Sequence, residues 1–213
     1  MGKFNSATGA ANGRISNMVF YQLNGQEVVR GLGVKKTIKS RKVLAQNSSI
    51  KLLMQLFSKI KPFIKAGFKN EAAGTIYNYH NLATSYNSKH AIGIVEDAPV
   101  LLYDQLLLCR GKAMPAKNPA VSMDPEGLRF TWDIDLNLPW ATNEDQAMLL
   151  AWFPEVNEAL FTTAGTARKT GTATLALPPS YRNLQMETYI AFASEDRELV
   201  SNSNYLGSIA KQN

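Results

Sequence analysis

The spacing of apolar residues changes several times along the chain. Between Arg14 and Val34 they form two β-branched and aromatic runs flanking Asn24-Gly25. A type I′ turn needs positive φ at both central positions, and this dipeptide supplies it cheaply, so the segment predicts a β-hairpin over 14–34. Met18 and Phe20 fall on one face, Val19, Tyr21 and Leu23 on the other, so both faces call for cover. From Ser48 and Ser49 onward the spacing lengthens to three and four. Leu53, Phe57, Ile60, Ile64 and Phe68, flanked by Leu52, Leu56 and Phe63, predict an amphipathic helix over about 49–68. Lys51, Lys59, Lys61, Lys65 and Lys69 take its polar side, and Pro62 should kink or divide it. After Gly74 a second helix is expected over about 75–89, with Ile76, Tyr79, Ala83 and Tyr86 as apolar positions.

Beyond Pro99 the pattern becomes that of strands. Val100 to Cys109 (VLLYDQLLLC) is apolar nearly throughout and predicts a buried strand, followed by a Pro-containing joint over Lys112 to Pro119. Strands are then expected at 120–123, 127–134, 146–153, 159–163, 172–177, 186–193 and 199–206, separated by turn signals such as Asp124-Pro125-Glu126-Gly127, Pro178-Pro179 and Glu195-Asp196. Short strands at this spacing predict an antiparallel sandwich. The expected fold is α+β: an arm over 1–13, an N-terminal α+β domain over 14–111 with a hairpin and helices packed on strands, and a β-sandwich over 112–213.

Placed residues refine the last part. Trp132 ends the second strand (LRFTWDI), Leu175 and Leu177 precede a Pro-containing turn, and Tyr189 lies in the sixth strand (ETYIAFAS) before a charged turn. In this it resembles a fibronectin type III-like domain over roughly 119–208, which implies that Trp132 is buried. The motifs GRISNMVFYQLNGQEVVRG, NLATSYNSKHAIG and YIAFASEDRELVSNSNYLG make nearly the whole chain similar to a widespread Bacteroidota family catalogued only as a domain of unknown function. The resemblance implies no chemistry. One departure is Ile15-Ser16, where that family's pattern leads us to expect a glycine nearby.

Charge divides the chain. Residues 1–112 carry 16 Lys+Arg against 5 Asp+Glu, and residues 113–213 carry 7 against 12, so a front of +11 precedes a back of −5 within the net +6. Such polarity can steer a polyanion to the front, or the back of one copy to the front of another. The single Cys109 rules out an intrachain disulfide and a zinc site built on paired cysteines. Met1 to Gly13 lacks the apolar run of a signal peptide, and no stretch approaches a membrane span, so residence in the cytoplasm or export by a non-classical route is expected.

Candidate chemistry is sparse. His80 and His90 are ten residues apart, not at the i, i+4 spacing of a helical metal site, and read as surface or capping residues. Cys109 sits among apolar residues that disfavour its thiolate, so it reads as structural. Asp133 and Asp135 alternate along one expected strand and read as a solvated edge. The glycine-rich front lacks both a phosphate loop and a dinucleotide fingerprint. No catalytic residue, cofactor or metal is therefore expected. The leading expectation is a non-catalytic structural protein that self-associates as a homo-oligomer or homopolymer, with a head-to-tail filament or ring as the expected form. Its expected contact residues for assembly or a polyanion are Lys35, Lys36, Lys39, Arg41, Lys42, Phe20 and Tyr21. Two alternatives stand beside it: nucleic-acid or polyanion binding through the basic half, and a carbohydrate- or protein-recognition surface using Trp140 or Trp152.

Overall fold

A computed structural model describes residues 2–3, 12–23, 25–34, 40–96, 98–135 and 137–210; for residues 2, 3, 41, 42 and 140 it describes the backbone alone. The chain is an α+β protein in which a hairpin-based N-terminal sheet and helices precede antiparallel sheets.

The expected hairpin is present as β3 (Met18–Leu23) and β4 (Gln26–Gly31), in register Leu23↔Gln26 with Gly25 at φ 75°. Two further strands extend it. β2 (Gly13–Ile15) pairs with β3, and β1 (Gly2–Lys3), within the segment expected as an arm, pairs with β4, giving the order β1-β4-β3-β2. Ser16 and Asn17 form the two-residue turn between β2 and β3, and Ser16 has φ 54°. A hairpin with positive φ at its first turn position favours glycine there, which is the physical content of the glycine expected near Ile15-Ser16. Among the described residues, none in this sheet belongs to either hydrophobic core described below.

The first helix, α1 (Arg41–Lys59), begins about two turns before the expected start. Ser48 and Ser49 resemble cap residues in sequence, but their hydroxyls donate back to the carbonyls of Leu44 and Ala45 at 3.1 and 3.0 Å, a bond that lets serine sit inside a helix. Ser40 is the cap, accepting from Val43 N. Pro62 divides the helical run: α1 ends at Lys59 and α2 (Lys61–Ala72) starts with Pro62 in its first turn, where the missing N–H would have had no partner. α3 (Tyr79–His90) starts later than expected because Asn78 caps it, accepting from Asn81 N at 2.7 Å. β5 (Ile92–Val95) and β6 (Ala98–Leu101) follow as a small hairpin.

The run expected as one strand over 100–109 is a correction. Only Val100 and Leu101 are in a strand; a 3-10 turn occupies Tyr103–Gln105, and 106–109 cross the molecule, largely buried but without a ladder. Their backbone groups are met by side chains. The Asn87 carboxamide donates to Leu107 O and accepts from Leu107 N, both at 2.8 Å. Ser203 Oγ accepts from Leu108 N at 2.9 Å and Cys109 N at 3.4 Å, while Ser203 N donates to Cys109 O at 3.1 Å. The crossing lies so close to α2 that a Cβ on Gly67 would stand 2.5 Å from Leu108 O.

Among the described residues, seven strands make the C-terminal sandwich. β7 (Ala120–Asp124), β8 (Gly127–Thr131) and β11 (Thr172–Ala176) form one sheet in the order β11-β8-β7. β9 (Gln146–Phe153), β10 (Glu158–Thr162), β12 (Met186–Ala193) and β13 (Asn204–Ile209) form the other, ordered β10-β9-β12-β13. A one-turn helix, α4 (Trp140–Asn143), lies between β8 and β9. The final strand differs from the expected span of 199–206. Val200 and Ser201 make only isolated bridges, because the Ser201 and Ser203 hydroxyls bond to Phe192 N and to the crossing segment.

β9 and β12 are buried on both faces, which the two-residue period of a strand makes possible. Leu149, Phe153, Ile190 and Phe192 meet Leu128, Phe130 and Trp132 between the sheets. Met148, Leu150, Trp152, Tyr189 and Ala191 meet Leu53, Phe57, Phe63 and Phe68 of the helices. This second core crosses the Lys112–Pro119 joint. One end of the sandwich is closed by Arg168, whose Nη2 lies 3.2 Å from Asp145 and whose guanidinium packs 3.7 Å from the Phe192 ring centroid. Trp132 is buried as the resemblance implied, its indole donating to Arg168 O at 2.7 Å.

Replacing Asn87 by alanine orphans both backbone groups of Leu107, each costing roughly 1–3 kcal/mol when left buried. Chemical denaturation should show a loss of at least about 2 kcal/mol for Asn87→Ala, and a comparable loss for Gly67→Ala from its collision with the Leu108 carbonyl. In the N-terminal sheet, Ser16→Gly should raise stability by up to about 1 kcal/mol by the same measurement.

Candidate functional site

The helices and the sandwich meet along α2, and two open hollows lie at that seam. Asn70 Nδ2 donates to Arg197 O at 3.0 Å, and Glu71 pairs with Arg110 at 3.1 Å. Gly111 N donates to Asn202 Oδ1 at 3.1 Å and Ala113 N to Val200 O at 3.0 Å. A Cβ at Gly111 would run into the Val200 carbonyl, so only glycine lets the chain leave the crossing here. Around these contacts are two open hollows of about 480 and about 350 Å³, which follow one another along α2 and share Leu199 and Val200 as a wall.

Two guanidiniums are fixed at the seam. Arg110 is held by Glu71 and lies 5.3 Å from the centroid of the Tyr86 ring, itself stacked on His90 at 4.3 Å. Arg197, with φ 63°, donates from Nη1 to Thr163 O at 2.5 Å and from Nη2 to Gln146 Oε1. Lys112 lines the larger hollow, and Lys65 and Lys69 line the smaller. Such a set of guanidinium, ammonium and carboxamide donors suits anionic oxygen.

The residues singled out in the sequence lie elsewhere or are structural. Lys35, Lys36 and Lys39 lie outside the described residues, as do the side chains of Arg41, Lys42 and Trp140. Phe20 and Tyr21 are half-buried on β3. Trp152, considered as an exposed contact, is only 4% exposed and belongs to the core beneath the helices. His80 meets the Phe57 ring edge-on, and His90 Nδ1 donates to Tyr86 O at 2.8 Å in the last turn of α3. Asp133 and Asp135 do not share a strand, since β8 ends at Thr131; Asp133 accepts from Asn118 Nδ2 at 2.7 Å, and Asp135 caps a turn by accepting from Asn137 N. Among the described residues no group of three or more His, Cys, Asp or Glu side chains is placed to hold a metal, and no helix is long and apolar enough to cross a membrane.

Sequence reading misses Arg110, Lys112 and Arg197 as a group. Each stands beside a glycine or in a charged turn, and only the crossing segment and the β12–β13 loop bring them to α2. Lys65 and Lys69 are visible as a helical stripe but read as a solvated face.

The fold and the seam together define a class: an α+β protein whose helices pack on one sheet of an antiparallel sandwich, with a charged hollow between them. The chain belongs to the Family of unknown function (DUF6266), whose model matches residues 10–207. No curated protein matches it.

Cys109 is fully buried, and burial pushes its thiol far above the ordinary range. A raised folded-state pKa contributes stability that is complete below the unfolded thiol's value of about 8.5 and is lost as pH rises above it. Relative to Cys109→Ala, the wild-type protein should lose about 1.4 kcal/mol of stability per pH unit above that point. A thiol reagent should label Cys109 only after denaturation, as read by mass spectrometry.

Proposed function

We propose that the protein is a non-catalytic structural protein that self-associates, with copies joined head to tail into a filament or ring. The observation that carries this reading is the outer strand of the N-terminal sheet. Among the described residues β2 ends the strand order, all three of its residues are exposed, and Ile15 is 65% exposed beside its cross-strand partner Met18 at 45%. An edge strand offers unpaired backbone groups to another chain's strand, and although β2 is short and carries Arg14, its Ile15 presents an apolar contact beside Met18. Charge supports a head-to-tail arrangement, because the front carries +11 and the back −5. A contact between unlike surfaces is heterologous, so it closes into a ring or continues as a fibre.

The sandwich fits a building-block role. We read it as fibronectin type III-like: its first, second and fifth strands face its third, fourth, sixth and seventh, an arrangement that supports the likeness. We place the family in Bacteroidota on the three motifs quoted above. A carbohydrate- or protein-recognition surface built on Trp152 is not favoured, since that side chain is in the core.

Light scattering at high protein concentration should show multimers at low salt that shrink as salt rises. Ile15→Lys with Met18→Lys should leave a folded monomer. A wild-type protein that stays monomeric at low salt overturns the proposal.

A further inference from the structure

The two hollows along α2 concentrate cations that the fold does not neutralise. Lys65, Lys69, Arg110, Lys112 and Arg197 line them, against the carboxylates of Glu71 and Glu198. Glu71 is engaged by Arg110; among the described residues, none of the other four cations is in an ion pair. Glu195 and Asp196, at the tip of the β12–β13 loop, line neither hollow. The cationic row continues on α2 itself. Lys61, Lys65 and Lys69 are exposed and recur every four residues, which sets them about 6 Å apart along one helix face.

A row of this length is not matched to one small anion. It is matched to a chain of anionic groups, and two features narrow the chemistry. Both guanidiniums are pre-oriented, Arg110 by Glu71 and Arg197 by Thr163 and Gln146, and planar donors of that kind suit phosphate oxygens. Arg110 also adjoins the stacked Tyr86 and His90 rings, so an aromatic and guanidinium surface stands beside the phosphate-like path. A cationic groove flanked by aromatic and guanidinium groups is an arrangement suited to single-stranded nucleic acid held without reading its sequence.

We propose that the seam along α2 binds single-stranded nucleic acid, with Lys61, Lys65, Lys69, Lys112 and Arg197 on the phosphates and Arg110 with Tyr86 beside the bases. This surface is separate from the β2 edge and does not depend on self-association.

The test is fluorescence anisotropy with a labelled single-stranded oligothymidylate, on the wild-type chain and on the Ile15→Lys, Met18→Lys variant. Both should bind, with affinity falling linearly in log salt. The triple variant Lys65→Glu, Lys69→Glu, Lys112→Glu changes exposed side chains only, and circular dichroism should confirm its fold. It should bind at least about tenfold more weakly at low salt, with the salt slope reduced by about 0.7 for each phosphate no longer neutralised. A charge-matched control, Lys51→Glu with Lys89→Glu and Lys117→Glu, all exposed and none lining either hollow, should stay within about twofold of wild type. The proposal is overturned if the wild type does not bind at low salt, or if the control is weakened as much as the triple variant. It is equally overturned if Lys35→Glu, Lys36→Glu, Lys39→Glu abolishes binding while the triple variant retains it.

Discussion

The Asn87 carboxamide is the interaction on which the layering depends. Residues 106–109 pass between α2 and the sandwich, where water cannot satisfy their amides and no neighbouring strand is aligned to do so. In an antiparallel ladder, a hydrogen-bonded residue pair exchanges both N–H···O bonds. Asn87 reproduces that exchange with one side chain, giving and accepting a bond with Leu107 while its nitrogen also donates to Ala83 O at 2.9 Å. Because the carboxamide is fully buried, the pairing is not diluted by solvent. Ser203 repeats the device from the other side on Leu108 and Cys109. The helices and the β12–β13 loop are thus tied to the same short piece of chain.

That arrangement explains which parts of the fold can be read from sequence. The sandwich strands β9 and β12 are legible at their observed bounds because apolar residues flanked by turns leave little ambiguity when a strand is buried on both sides. Pro62 is legible because its steric effect is local. The 100–109 run is not, since a buried apolar stretch looks the same whether its backbone partners are a strand or two side chains. The partners, Asn87 and Ser203, lie within NLATSYNSKHAIG and YIAFASEDRELVSNSNYLG, two of the motifs that carry the family resemblance. Their role is hidden because it is long-range: nothing in either motif marks the segment that it will hold.

The candidate site is even less legible, for a related reason. Lys65 and Lys69 have an obvious helical period, but a lysine stripe on an amphipathic helix is also what plain solvation produces. What distinguishes this face is its company. Arg110 reaches it because Gly67 and Gly111 allow the crossing to run against α2 and against Val200, and Arg197 reaches it because Asn70 holds the loop backbone. A charge pattern set by close backbone approach leaves only a glycine as its trace in sequence.

Packing and charge are linked at the seam in a way that bears on how the protein could work. The sheet β10-β9-β12-β13 is committed on both faces, so its own faces are closed to partners. The Arg110–Glu71 pair is half-exposed, and an exposed pair of this kind contributes little to stability, about 1 kcal/mol or less. Its effect is instead directional: it holds a guanidinium against Tyr86 and at the mouth of the larger hollow. The crossing segment therefore does two jobs with adjacent residues. Leu107 to Cys109 join the layers through buried amides, and Arg110 to Lys112 carry charge to the surface at a place where those layers leave a gap.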